Sequence, residues 1–408
     1  MSTPLPQANE TDRALRAEKL VQAHRILDEW EIDVWLIVVR GAGNDSDPVL
    51  PMILGTELTA PGALVLTRGG ERVAIVGARD EERMHSTGVW STVIPYASSL
   101  RDPLVATMRR LDPARVAISP WQNIGNADRL VPEGQLALKE HLDGTHYGQR
   151  LIGADEIIAA LRGRKSATEI TRIREAVTVT EQIFECAGRF VRAGMTEREL
   201  ARWLREEVSR RCVTPAWNES TCPIVNTGPG SIAGHAAPTD LPIQPGHVLH
   251  VDFGISRAGY CSDLQRCWYV PRAGESEPPA VARRALDVIA EAIRAAAETL
   301  RPGVCGWEVD AAARRVLTRA GYPEHQHSTG HQVGRNVHDG GGVLGPRWER
   351  YGQAPFRPVE EGNVFALEVG IERVGDHGYV GLEEMVLVTR HGCEFLSAPQ
   401  MKLDFIGG

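Results

Sequence analysis

The feature that most constrains the fold of this sequence is a degenerate internal repeat. Two long helical segments, Ala176 to Arg192 and Ala285 to Arg301, lie 109 positions apart. Each runs into an R-x-G turn and the start of a second helix, Arg192-AGMTEREL in one case and Arg301-PGVCGWEV in the other. Further on, Gly246-HVLHVDFG matches Gly362-NVFALEVG at a separation of 116. Each half reads as helix, helix, strand hairpin, and repeats of this kind are structural in origin. The repeat therefore predicts a pseudo-symmetric domain with two equivalent hairpins. An acid stands two residues before a glycine in each, Asp252 before Gly254 and Glu368 before Gly370. Strands disfavour Asp, and burying an unpaired carboxylate is costly, so these positions call for a chemical reason.

The first hairpin carries Asp252 and, on its return arm, Asp263; the second carries Glu368 and, in Gly381-LEEMVLV, Glu383. Paired hairpin strands set opposed side chains about 5 Å apart. Four carboxylates that close cannot all ionise alone, and protonation or cations must relieve the repulsion. Two divalent ions about 3.5–4 Å apart would do so and would activate a water between them. The segment His325-QHSTGHQVGRNVHDGGG adds histidines at 325, 327, 331 and 338 among glycines that permit close backbone approach. Upstream, Gly228-PGSIAGHAAP puts His235 on a Gly/Pro loop. His250 shares the strand face of Asp252 and reads either as a partner of the site residues or as a core histidine.

The first part of the chain alternates a helical pattern, Ala14 to Trp30, with short apolar runs at Val34-WLIVV, Ala63-LVLT, Val73-AIV and Val116-AIS, the strands of a mixed α/β domain. Ser166 and Glu169 form an S-x-x-E capping box that opens a new helix, and the boundary is placed near 160, giving domains 1–160 and 161–408. At 408 residues the chain has room for two domains. A net charge of −8 argues against a nucleic-acid partner. The longest clear apolar run, Val34 to Val39, is too short to span a membrane. The polar N-terminus lacks the apolar core of a signal peptide. Seven cysteines without a C-x-x-C pair fit a reduced, cytoplasmic setting.

With these residues in place, the C-terminal part resembles the pita-bread metallopeptidases: methionine aminopeptidase, aminopeptidase P and prolidase, with metal-free creatinase on the same fold. The resemblance rests on Asp252 and Asp263 in D-x-G…G-Y-x-S-D, His331 in T-G-H-x-x-G-x-x-x-H, Glu368 in the second hairpin and Glu383 before V-L-V-T. It implies an α/β N-terminal domain of the creatinase type, followed by an α+β pita-bread catalytic domain with a pseudo-twofold repeat. It also implies a metal set of Asp252, Asp263, His331, Glu368 and Glu383. Asp263 and Glu383 would bridge the metals, and Glu368 would also handle the proton of the attacking water. His235 and His338 match histidines that flank the substrate, and His327 matches another pocket histidine. Two divalent metal ions per subunit are implied. The oxygen-rich set suits Mn²⁺ or Zn²⁺ and tolerates Co²⁺ or Fe²⁺. A homodimer and a small peptide substrate containing proline follow from the same resemblance.

The chain departs from the family pattern at three places. Val369 stands where proline is frequent, Gly381 where arginine is common, and Gln265 where threonine is usual after the second Asp. Arg335 is an unusual charge in its motif, and reads either as a grip on a substrate carboxylate or as an outward-facing or salt-bridged residue. The leading expectation is a prolidase-type Xaa-Pro dipeptidase. Xaa-Pro aminopeptidase activity on longer peptides stands beside it, followed by a non-peptidase hydrolase or lyase of a small zwitterion and, last, a non-catalytic binding module.

Overall fold

The computed structural model describes residues 10–41, 47–119, 140–231 and 236–407. The chain divides into two compact units, Met1–Arg162 and Gly163–Gly408. The first is built on β1 (Val34–Val39), β2 (Gly62–Thr67), β3 (Arg72–Gly77), β4 (Thr92–Tyr96), β5 (Val116–Ser119) and β6 (Leu151–Gly153), in the order β4-β3-β2-β1-β5-β6. β1 runs antiparallel to β2 and parallel to β5. Its continuous apolar run is explained by burial on both faces, because alternate side chains point to opposite sides. Trp35, Ile37 and Val39 join Leu20, Ala23 and Leu27 of helix Glu10–Glu29. Val34 and Leu36 join Leu104 and Met108 of helix Arg101–Leu111 on the other face.

The second unit contains the repeat. Helices Ala167–Phe190 and Glu197–Arg210 form the first helical pair, and Ala280–Thr299 and Gly306–Arg319 the second. Three of the four begin with the same device. The side chains of Glu169, Glu199 and Glu308 accept the backbone N–H of Ser166, Thr196 and Cys305, satisfying donors that a helix start leaves open. Thr196 and Cys305 also make isolated bridges, to Pro242 and Pro358, so the two halves agree in tertiary contact as well as in sequence.

Behind the helices lies a sheet ordered β14 (Val343–Leu344), β13 (Gly330–Gln332), β15 (Val364–Ile371), β16 (Val380–Thr389), β12 (Leu264–Tyr269), β9 (Val248–Phe253), β8 (Ile224–Thr227). β17 (Gly392–Phe395) pairs with β16, and β18 (Asp404–Phe405) with β12. β7 (Thr214–Pro215), β10 (Ile255–Arg257) and β11 (Tyr260–Cys261) form a separate small sheet. Helix Ala280–Thr299 lays Leu286, Ile289 and Ile293 against Phe365, Leu367 and Val369 of β15 and Leu382 and Val386 of β16. The intervening positions, including Glu368 and Glu383, alternate to the other side.

The register corrects one expectation. Asp263 is not the strand partner of Asp252. It lies between β11 and β12, and the residue paired with Asp252 is Gln265. In the second half Glu368 pairs with Glu383, and Gly370 with Gly381. The repeat counterpart of Glu383 is therefore Gln265, and that of Asp263 is Gly381. The physical reason is that part of the eleven-residue span between the two aspartates folds into the β10–β11 hairpin, so position along the chain does not translate into position across the ladder.

Candidate metal centre

Successive pairings of Asp252 with Gln265, Gln265 with Glu383 and Glu383 with Glu368 draw one row across β9, β12, β16 and β15. Residues opposed in a ladder share a face of the sheet, so three carboxylates and one amide stand side by side. His331 on β13 pairs with Ala366, two residues from Glu368, and joins the same face.

The imidazole of His331 is held by its far nitrogen. Nδ1 lies 2.9 Å from the carbonyl oxygen of Val337, which fixes the proton there and turns the Nε2 lone pair inward. Nε2 is 3.7 Å from Asp263 Oδ2, 3.7 Å from Glu383 Oε1 and 3.9 Å from Glu368 Oε1. One ligand atom from each of Asp263, His331 and Glu383 falls within 4.8 Å of the others, and all three residues are buried. These gaps are too long for hydrogen bonds and suit donor atoms that share a cation.

The carboxylates are otherwise poorly compensated. Burial, then repulsion from Glu368, raises the Asp252 carboxyl well above the ordinary range. Burial, then Asp252 and Glu368, does the same for Asp263, and burial followed by Asp263, Asp252 and Glu368 raises Glu383. Asp252 Oδ1 and Glu383 Oε1 are buried and accept no hydrogen bond among the described residues. Two orphaned carboxylate oxygens, one of them 3.7 Å from His331 Nε2, form a donor set that fits divalent metal. The neighbouring Glu384 differs: it forms a 3.0 Å ion pair with Arg266 and accepts from Ser397, which marks it as part of the framework.

The other candidates are distributed as follows. The His338 ring lies 4.1 Å from the His331 ring, centroid to centroid, and its side chain is exposed. His327 is exposed, and its carbonyl accepts from Arg314, which also bonds the carbonyl of His325. His235 lies outside the described residues. Arg335 sets its guanidinium over the Tyr260 ring at 5.4 Å rather than among the carboxylates. The Tyr260 hydroxyl donates to Glu169, so Arg335 joins a cluster that ties down the start of helix Ala167–Phe190.

Sequence reasoning missed the amide in the row. Gln265 Nε2 donates to Glu383 Oε2 at 3.1 Å and lies 3.4 Å from Glu368 Oε2. Gln265 Oε1 faces His250 Nε2 at 3.0 Å, and His250 Nδ1 reaches Asn226 at 3.1 Å. Burial lowers the His250 pKa to about 4, so the ring is neutral at pH 7 and can donate to the amide oxygen. The signal available in the sequence was Gln265 itself, a long amide where the resemblance expects a threonine.

The model of metallopeptidase family M24 matches residues 171–390. Among curated relatives, the chain is 30% identical over 250 residues to an Xaa-Pro dipeptidase of Lactobacillus helveticus, an alignment spanning 61% of this chain and 64% of that protein. It is 28% identical over 287 residues to an Xaa-Pro dipeptidase of Pyrococcus furiosus, covering 69% of this chain and 77% of the relative. Among solved structures, an Xaa-Pro dipeptidase from Bacillus anthracis superposes with a TM-score of 0.72 at 24% identity, covering 95% of this chain and 99% of that one. An X-Pro aminopeptidase from Thermotoga maritima superposes with a TM-score of 0.68 at 24% identity, covering 96% and 99%.

Proposed function

The chain belongs to metallopeptidase family M24 and has the pita-bread fold, and from that premise we propose that it hydrolyses Xaa-Pro bonds as a prolidase-type dipeptidase. The observation that carries the reading is the meeting of Asp263, His331 and Glu383 beside the orphaned oxygens of Asp252 and Glu383. Membership of the family implies divalent metal. In this reading Asp252, Asp263, His331, Glu368 and Glu383 hold two ions, Mn²⁺ or Zn²⁺ before Co²⁺ or Fe²⁺. When bound, such ions polarise a peptide carbonyl and make water acidic enough to attack near neutral pH.

The chain's own residues supply the rest. Glu368, partly exposed at one end of the row, takes the proton of the attacking water. His338, whose ring lies 4.1 Å from that of His331, donates in this reading toward the developing oxyanion or the leaving nitrogen. Gln265 holds Glu383 in orientation. His235 and His327 complete the pocket in this reading. The likenesses to proteins titled Xaa-Pro dipeptidase favour the dipeptide, while the likeness to an X-Pro aminopeptidase keeps longer peptides as the second reading.

The test offers protein loaded with Mn²⁺, and separately with Zn²⁺, both Ala-Pro and Ala-Pro-Ala. Release of proline from the dipeptide is expected. Rapid cleavage of the tripeptide alone would transfer the assignment to aminopeptidase P. Turnover of neither, with metal bound, would favour a non-peptidase member of the fold. A homodimer and a cytoplasmic location accompany this reading, to be checked by light scattering and cell fractionation. Among the described residues no helix is long and apolar enough to cross a membrane.

A further inference from the structure

Gly370 and Gly381 are paired on β15 and β16, two positions along the ladder from Glu368 and Glu383 and therefore on the same face. A Cβ at Gly370 would lie 2.0 Å from the Tyr379 hydroxyl, and a Cβ at Gly381 would lie 2.6 Å from it and 2.5 Å from the ring. The phenol thus fills the place of both missing side chains. The repeat gives that place a meaning, because its counterpart in the first half holds Asp263. One half supplies a carboxylate there and the other half supplies a hydroxyl.

The ring is fixed from behind. It meets His250 edge to face, with centroids 4.6 Å apart, and His250 is bonded to Gln265, which bonds Glu383. The hydroxyl makes no hydrogen bond among the described residues. Burial first, then Glu368, Cys267, Asp252 and Glu383, raises its pKa well above the ordinary value. A tyrosine hydroxyl in such a setting ordinarily finds a partner, and three of the groups that act on this one, Glu368, Asp252 and Glu383, are carboxylates read above as metal ligands.

We infer that Tyr379 is a positioning residue of the metal centre, whose hydroxyl donates a hydrogen bond to Glu368 when the centre is loaded and so fixes the orientation of that carboxylate. The inference rests on the metal set of the proposed function. It adds a donor at a position where the resemblance led to an arginine at 381, and it explains why glycine stands there: any larger residue would collide with the phenol.

Tyr379→Phe is the decisive variant, since it keeps the ring on His250 and over the glycines and removes one oxygen. The loss of such outer hydrogen bonds typically costs 10–100-fold in metal affinity or activity. Mn²⁺ titration by calorimetry should show at least a tenfold weaker site in the variant, while the melting temperature of the metal-free protein stays within about a degree. With Ala-Pro, kcat should fall and KM should change little. A purely structural tyrosine would instead lower the metal-free melting temperature and leave affinity alone. Equal Mn²⁺ affinity and stoichiometry in parent and variant would overturn the inference while leaving the dipeptidase reading intact. A parent that takes up no Mn²⁺ or Zn²⁺ would remove both.

Discussion

Glu368 and Glu383 are directly opposed residues of the antiparallel pair β15–β16, so two carboxylates stand shoulder to shoulder on one face of the sheet. Like charges placed opposite each other in a ladder are destabilising. Here burial adds to the repulsion, and two further acids, Asp263 and Asp252, add to it. In the metal-free protein the arrangement is a liability, and the folded state tolerates it in exchange for a function.

Glu383→Gln should therefore separate stability from function. It removes one like charge from a residue 1% exposed while preserving shape and a hydrogen-bonding head. The metal-free variant should melt a few degrees above the parent, since about 1 kcal/mol moves the transition of a domain of 150–250 residues by roughly 2–4 °C. The rise in melting temperature on adding Mn²⁺ should nearly vanish, because stabilisation by a ligand follows its affinity for the folded state. Differential scanning calorimetry with and without Mn²⁺ reads both. A variant that melts lower than the parent without metal would show that the carboxylate is compensated in some other way.

The loop carrying His338 depends on a buried ion pair. Lys165 Nζ lies 3.4 Å from Asp339 Oδ2, with the side chains 0% and 3% exposed. Asp339 also accepts the backbone N–H of Arg335. Lys165→Met leaves a buried charge without this cation, a change that typically costs about 3–5 kcal/mol. Urea unfolding should show a loss of that order in Lys165→Met, and a smaller loss in Lys165→Met/Asp339→Asn, where the stranded charge is gone as well. If the double variant is as unstable as the sum of its parts, the two groups are not coupled.

Much of this architecture was legible because it is written in local chemistry. The apolar runs of β1, β2, β3 and β5 need only burial on two faces. The capping box at Ser166 and Glu169 is a pattern three residues long. The repeat is visible because its helices, turns and hairpins recur at two fixed separations. What the sequence concealed is register. Asp263 reads as the return-arm partner of Asp252, but the intervening β10–β11 hairpin belongs to another sheet and moves Gln265 into the row. The same blindness hid Tyr379, since nothing in its immediate neighbours tells that two glycines paired across strands leave it a seat. Arg335 shows the same limit from another side. Its unusual charge within a histidine motif reads equally as a grip on a substrate carboxylate or as an outward-facing or salt-bridged residue, and no local pattern announces that its guanidinium lies over a tyrosine 75 positions earlier.

Acid stability should carry the signature of His325. Burial, then the positive field of Arg314, lowers its pKa to about 4, against an ordinary value near 6.5. Between these two values the unfolded chain binds a proton that the folded protein refuses. Stability is therefore fully present above about pH 6.5 and declines as the pH falls toward 4. Replacing His325 by Gln removes the titration, so the melting temperature of the variant should fall less than that of the parent between pH 7 and pH 4.5. Parallel melting curves across that range would assign the acid sensitivity to other groups.

Gly381→Ala tests the seat of Tyr379 from its other side. The added methyl would sit 2.5 Å from the phenol ring and 2.6 Å from its oxygen, closer than contacting atoms allow. The backbone at this glycine is not left-handed, so the strain is steric and falls on the tyrosine. Overpacking of this kind typically costs about 1–3 kcal/mol. The ring is the movable partner, and turning it aside takes the hydroxyl away from Glu368. Mn²⁺ affinity should then fall about as far in Gly381→Ala as in Tyr379→Phe. Combining the two substitutions should add little, since both act through one oxygen and contacting residues are rarely additive. Losses that simply multiply in the double variant would mean that the glycine serves the centre by a route of its own, through the line of the strand that carries Glu383.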